Sequence, residues 1–222
     1  MNAINPINSL KSKKQILWIT QTAMLLAVAV ISQIYLTGLL SFNPIASQLA
    51  VGSIVNLCLV LSTLRCGFFS GFSISVCASF IPLMLGRIVY PQQAFIVALG
   101  NITIVLIFRL LCGQKALGGN SKGFAGFIKW GLAAVIGAAA KFLVLWLGMT
   151  KIFINLVLLN DAAVNAQQIE KITAAVMLNF SWMQFITALT GSALAFVVYR
   201  VLNNVLLKDP VPADSNKNRL KN

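Results

Sequence analysis

Six apolar runs, each long enough to cross a bilayer, follow one another with short polar breaks and leave little of the sequence for anything else. They cover residues 16–40, 48–64, 68–85, 91–111, 124–159 and 172–207. With 59% hydrophobic residues, 9% charged residues and a mean hydropathy of +0.87, the chain falls outside the soluble globular class. The expected fold is all-α, a polytopic membrane protein with six transmembrane helices. Residues 16–207 would form the membrane domain, between an N-terminal tail at 1–15 and a C-terminal tail at 208–222. The first run is too long for a signal-peptide core and has no clear small-residue cleavage site, so it reads as a retained helix.

The breaks between runs carry the turn chemistry. Asn43-Pro44 marks a short uncharged loop within residues 38–47, and Arg65-Cys66-Gly67 marks a tight turn. Pro82 lies inside the third run, Gly86-Arg87 closes it, and Pro91 opens the fourth at a helical position that tolerates proline. Residues 109–129 form the most basic connection, with Lys115, Lys122 and Gly118-Gly119-Asn120. They do not spell a Walker A sequence, because no Gly-Lys-Ser/Thr follows the glycines. The fifth run exceeds one span, so it is expected to leave the bilayer near Lys151 and continue along the interface. Asn160-Asp161 then offers a cap for a polar helix over 161–171.

The net charge of +13 is spread between the runs rather than gathered in a patch with interleaved aromatics, which argues against nucleic acid. It follows the positive-inside pattern instead. With the N-terminus inside, the inner segments hold Lys11, Lys13, Lys14, Arg65, Arg109, Lys115, Lys122, Lys129, Arg200, Lys208, Lys217, Arg219 and Lys221. The outer ones hold only Arg87, Lys151 and Lys171. Both termini are therefore expected in the cytoplasm and the chain in a lipid bilayer. The four acids, Asp161, Glu170, Asp209 and Asp214, all lie outside the apolar runs, and there is no histidine. Proton relays and intramembrane aspartyl or zinc chemistry lack their groups, and no metal or cofactor is expected. Cys58, Cys66, Cys77 and Cys112 show no ligand spacing and read as four free thiols. A membrane transferase would need a nucleophile with a base, and no carboxylate or imidazole accompanies the hydroxyls, so the chain does not read as an enzyme.

Against this background Lys141 stands out, alone in the apolar stretch from Gly137 to Gly148. An ammonium at the centre of a membrane helix costs roughly 2.5–3.5 kcal/mol, so it should face protein or a water-filled cavity. The plain alternative is a lysine that snorkels to the interface or caps a helix carbonyl. Counting 1.5 Å per residue along each run places further polar groups at a comparable depth. Asn56 lies near the middle of the second run. Asn101 and Gln184 lie in the outer halves of the fourth and sixth, and Arg87 at the outer end of the third. Asn56, Arg87, Asn101, Lys141 and Gln184 are thus expected to form a cationic site open to the outside, suited to a carboxylate, phosphate or carbonyl-rich ligand. For the amides taken singly, interhelical hydrogen bonding is the plain account. In the first run Ala23 and Ala27 form a small-xxx-small pair that allows close helix approach.

Several of these stretches together resemble the substrate-binding S components of energy-coupling factor (ECF) transporters, which import vitamins and related micronutrients. The resemblance rests on residues 22–27 (TAMLLA), 52–56 (GSIVN), Pro82 with Gly86 and Pro91, Gly100-Asn101, Ala140-Lys141-Phe142 and residues 184–191 (QFITALTG). It implies a six-helix fold with a pocket near the outer surface, formed by the loop after helix 1 and by helices 4 to 6. Asn101, Lys141 and Gln184 fall in those helices, and residues 38–47 would act as a lid. The resemblance further implies that Ala23 and Ala27 pack against a transmembrane T component driven by two cytoplasmic ABC-type ATPases, where the ATP would be hydrolysed. No stretch matches a riboflavin, thiamine, biotin or folate signature, so the substrate stays open. A stand-alone secondary transporter or channel is the other reading. It is weakened by the lack of an intramembrane acid and of an internal repeat.

Overall fold

The structure, a computed structural model, describes residues 6–113, 124–159, 164–180 and 182–206. Residues 1–5, the basic connection with Lys115, Lys122 and Gly118-Gly119-Asn120, the expected cap at Asn160-Asp161 and the tail 208–222 lie outside the described residues.

Capping chemistry sets most helix ends. Helix α1 (Pro6–Ile31) opens on a proline, where the missing N–H costs nothing, so residues 6–15 of the expected tail are its first turns. Past Ile31 it loosens into a π-helical stretch, Ser32–Leu36, and closes with Thr37–Leu39. A turn at 40–43 follows. The Asn43 side chain accepts the Ala46 N–H at 3.1 Å, and Pro44 takes the first turn of α2 (Pro44–Arg65). The expected lid is therefore a four-residue turn between helices. Gly67, with φ +100°, leads into α3 (Phe68–Met84). Gly86, with φ +68°, ends that helix in a Schellman motif. Its N–H reaches the Leu83 carbonyl at 3.0 Å, and the Arg87 N–H reaches the Pro82 carbonyl at 2.9 Å. Helix α4 (Pro91–Cys112) opens on its proline.

The last third of the chain departs from expectation. Helix α5 (Phe124–Leu147) passes without interruption into a π helix, Gly148–Leu158, which contains Lys151. The polar piece that follows begins later than expected, at Ala166. There Asn165 and Gln168 form a reciprocal capping box, with side chain to backbone bonds of 2.9 and 3.1 Å. The described residues of the sixth apolar run lie in α6 (Ala166–Phe180) and α7 (Trp182–Leu206), on either side of residue 181.

The described residues are helical, without a strand. Five stretches are long and apolar enough to cross a membrane: Gln15–Leu39, Pro44–Arg65, Pro91–Cys112, Gly126–Leu156 and Ala166–Asn204. Phe68–Met84 is apolar but only 17 residues long, about 25 Å of helix. The surface carries large apolar side chains such as Met24, Phe69, Leu110 and Val201, the exterior of a protein solvated by hydrocarbon. Polar groups turn inward instead, since Ser53, Ser62, Thr63, Ser70 and Ser75 are all buried. Helix α2 runs through the middle of the bundle, packed against α1, α3, α4 and α7. Its core residues Cys58, Leu59 and Val60 join Ile74, Val105, Phe108 and Trp130 in the main apolar cluster. A second cluster, with Leu145, Phe153, Leu158 and Val176, ties α6 to the π extension of α5. Cys58, Cys66, Cys77 and Cys112 are free thiols.

Close approach of α2 and α7 depends on glycine. A Cβ on Gly191 would stand 2.5 Å from both the Asn56 Cβ and the Ser53 carbonyl oxygen, and one on Gly52 would stand 2.9 Å from the Thr187 methyl. Gly191→Ala is therefore expected to force the two helices apart and to destabilise the protein by about 1–3 kcal/mol, as overpacking does in dense cores. Thermal unfolding in detergent measures it.

Candidate functional site

A cavity of about 580 Å³ lies inside the bundle, toward the end that carries the 40–43 turn, Arg87 and the Asn179-Phe180 end of α6. That volume is in the range of small-molecule sites. Asn56, Arg87, Asn101, Lys141 and Gln184, expected at one depth from the sequence, all line it. Its remaining walls are largely apolar, with Val51, Val55, Ala78, Val97 and Phe180.

Lys141 occupies the floor and is 2% exposed. Helix α5 delivers it between α2 and α4, where the Nζ donates to Asn56 Oδ1 at 2.7 Å and to Asn101 Oδ1 at 2.8 Å. Each asparagine is itself held in orientation. The Asn56 amide nitrogen donates to the Gly52 carbonyl at 2.8 Å, and that of Asn101 donates to Ser79 Oγ at 3.0 Å. Ser79 in turn donates to the Ser75 carbonyl, and Ser75 to that of Gly71. The ladder fixes which amide atom faces the ammonium, because the nitrogens are already committed. Lys141 thus meets two neutral oxygens and no carboxylate, and the one acidic side chain among the described residues, Glu170, is exposed on α6. An ammonium has three donors, and these two bonds use two of them. Dehydrating such an ion costs several kcal/mol, which neutral acceptors offset only in part. In its protonated form Lys141 gives the site a positive potential that no described side chain balances.

At the mouth Arg87 is exposed, and its guanidinium donates to the Gln33 backbone carbonyl at 2.6 Å. Gln184 is half-buried, its amide nitrogen 3.3 Å from the Asn179 carbonyl, which also accepts from Gln48 at 2.6 Å. Arg87 and Gln184 contact neither Lys141 nor its asparagines through any of these bonds; the cavity alone connects them.

Gln33 and Ser79 belong to this site and were not singled out from the sequence. Gln33 stands in the π-helical stretch that ends α1, is 5% exposed and lines the cavity. Its amide nitrogen donates to the Ala78 carbonyl at 3.1 Å, while its Oε1 is buried without a partner. Leaving such an oxygen unpaired costs about 1–3 kcal/mol. The signal available beforehand was a lone amide in an apolar run, and for Ser79 an i,i+4 repeat with Ser75.

Ala23 and Ala27 lie apart from the cavity, both exposed on α1 with Met24 and Val28 beside them. The turn at Arg65-Cys66-Gly67 anchors the neighbouring part of that helix. Trp18 Nε1 donates to the Cys66 carbonyl at 2.8 Å, and the Thr22 and Ser70 hydroxyls are 2.8 Å apart.

No family model matches the chain, and neither does any curated protein or solved structure.

Proposed function

We propose that this protein is the membrane-embedded substrate-binding subunit, an S component, of an ECF-type importer. It captures a small, anionic, vitamin-like micronutrient from outside the cell. The observation that carries the reading is Lys141, a buried ammonium lining a cavity with only amide oxygens for company. A solute bringing a carboxylate or phosphate supplies the missing counter-charge, and the third donor of Lys141 is there to receive it. In this reading the chain spans the cell membrane six times with both termini in the cytoplasm, in keeping with the distribution of lysine and arginine. The cavity then opens outward. The chain is no enzyme and contributes no ATPase. Transport depends on a transmembrane T component, docked on the exposed Ala23 and Ala27 face, and on two ABC-type ATPases. The resemblance over residues 22–27, 52–56, 140–142 and 184–191 supports that assembly.

Native mass spectrometry of the protein purified from its own membranes tests this directly. A retained anionic metabolite, with T and ATPase subunits bound, is expected. An empty protein that by itself conducts or exchanges solute in liposomes would instead be a stand-alone carrier.

Asn101→Asp probes the stored charge from within. A carboxylate 2.8 Å from Lys141 Nζ takes the place of the solute's own, so anion affinity is expected to fall by about 10- to 100-fold. The thermal midpoint should rise at the same time. Titration calorimetry and thermal unfolding report the two effects separately, and a variant that binds the metabolite normally counts against the anion site.

A further inference from the structure

The cavity holds a second unmet demand besides the ammonium. Gln33 is 5% exposed, and its amide orientation is set by the Ala78 carbonyl, which can only face the NH2 group; Oε1 therefore points elsewhere and finds no partner. Its backbone is fixed as firmly, since its carbonyl accepts from both Thr37 Oγ1 at 2.7 Å and Arg87 at 2.6 Å. A π-helical stretch such as Ser32–Leu36 is a costly backbone that is frequent at functional sites. The acceptor and the ammonium are also neighbours through α3. Gln33 is held by Ala78 and Asn101 by Ser79, consecutive residues of one turn.

Building on the anion reading, we infer that Gln33 is a specificity-determining residue, and that the solute carries an N–H or O–H donor a few bonds from its anionic group, received by Gln33 Oε1 once a small turn of the side chain uncovers that oxygen to the cavity. The anion then sits at Lys141, the donor at Gln33, and an apolar remainder along Val51, Val55 and Val97. A simple fatty acid, which has the charge and the apolar body, lacks the donor and leaves the amide oxygen unpaired.

Two flexible probes differ at one nitrogen: N-hexanoylglycine, with a carboxylate and one N–H, and N-hexanoyl-N-methylglycine, with the same charge, a methyl group in place of the hydrogen and no N–H; Gln33→Met controls for the added methyl. Their affinities for the purified protein in detergent are measured by titration calorimetry. The first is expected to bind at least about tenfold more tightly, the size of one hydrogen bond to a buried acceptor. Gln33→Met, which keeps the volume and removes the acceptor, should bring the ratio to about one, while Lys141→Met should abolish binding of both. Equal wild-type affinities, with both still dependent on Lys141, overturn the role of Gln33 and leave the anion site standing. A ratio that persists in Gln33→Met is steric and overturns it too. Binding of neither probe, or binding indifferent to Lys141→Met, overturns the anion reading underneath. The wild-type ratio needs no variant to fold, and Gln33→Leu gives a second test of the acceptor.

Discussion

Lys141→Met is expected to cost at least about 100-fold in affinity for the anionic solute while the protein stays folded in detergent. Two opposed terms set the stability. Removing the ammonium relieves several kcal/mol of dehydration that has no carboxylate to offset it. It also orphans Asn56 Oδ1 and Asn101 Oδ1, at about 1–3 kcal/mol each. The terms are of similar size, so the thermal midpoint should move by a few degrees at most, in either direction. Binding has no such compensation, because methionine offers neither charge nor donor. Retention of the co-purified molecule in native mass spectrometry, read beside thermal unfolding, separates the two. Unchanged affinity would remove the basis for a cationic site.

Replacing both Ala23 and Ala27 with Phe is expected to stop uptake altogether and leave solute binding as it was. Both alanines are exposed on α1, away from the cavity, so the new rings lie on the outer face of that helix, and stability should shift by no more than about 0.5 kcal/mol. Small residues four apart let two helix backbones come close, and an aromatic ring there holds them apart. The T component would then no longer co-purify. Uptake of radiolabelled solute into cells, with binding to purified protein as the control, gives the answer. Lost binding with assembly intact would mean that this face supports the cavity and not the partner.

Much of this arrangement was legible in the residues themselves. Prolines and glycines fixed the ends of α2, α3 and α4 to within a few positions, because Pro44, Pro91 and Gly86 act through local sterics that need no neighbours. Lys141 announced itself as a charge among alanines and leucines. Depth arithmetic then gathered Asn56, Asn101, Arg87 and Gln184 around the same level, and one cavity touches them all. What depth cannot give is rotation about the helix axis. That is why the split between Asn56 and Asn101, bonded to the ammonium, and Arg87 and Gln184, at the mouth, shows only in the folded chain. Gln33 escaped for a related reason: its π-helical turn shifts the register of the end of α1, and nothing in residues 32–36 marks a π turn. The unbroken passage from α5 through Lys151 was hidden as well, since it rests on Leu158 and Val176 packing across from α6.

The order in which the chain leaves the ribosome gives the lysine cage another meaning. Helices α2 and α4 emerge before α5, so both amide oxygens are already in the bilayer when the only charge of α5's apolar core arrives. The ammonium finds its acceptors waiting, and the cost of placing it in lipid falls at the moment of insertion. A chain in which α2 or α4 had entered wrongly would strand that charge in hydrocarbon and expose it to membrane quality control. The same three side chains would then act as a proofreading step in biogenesis, checking the assembly of three helices before any solute is met.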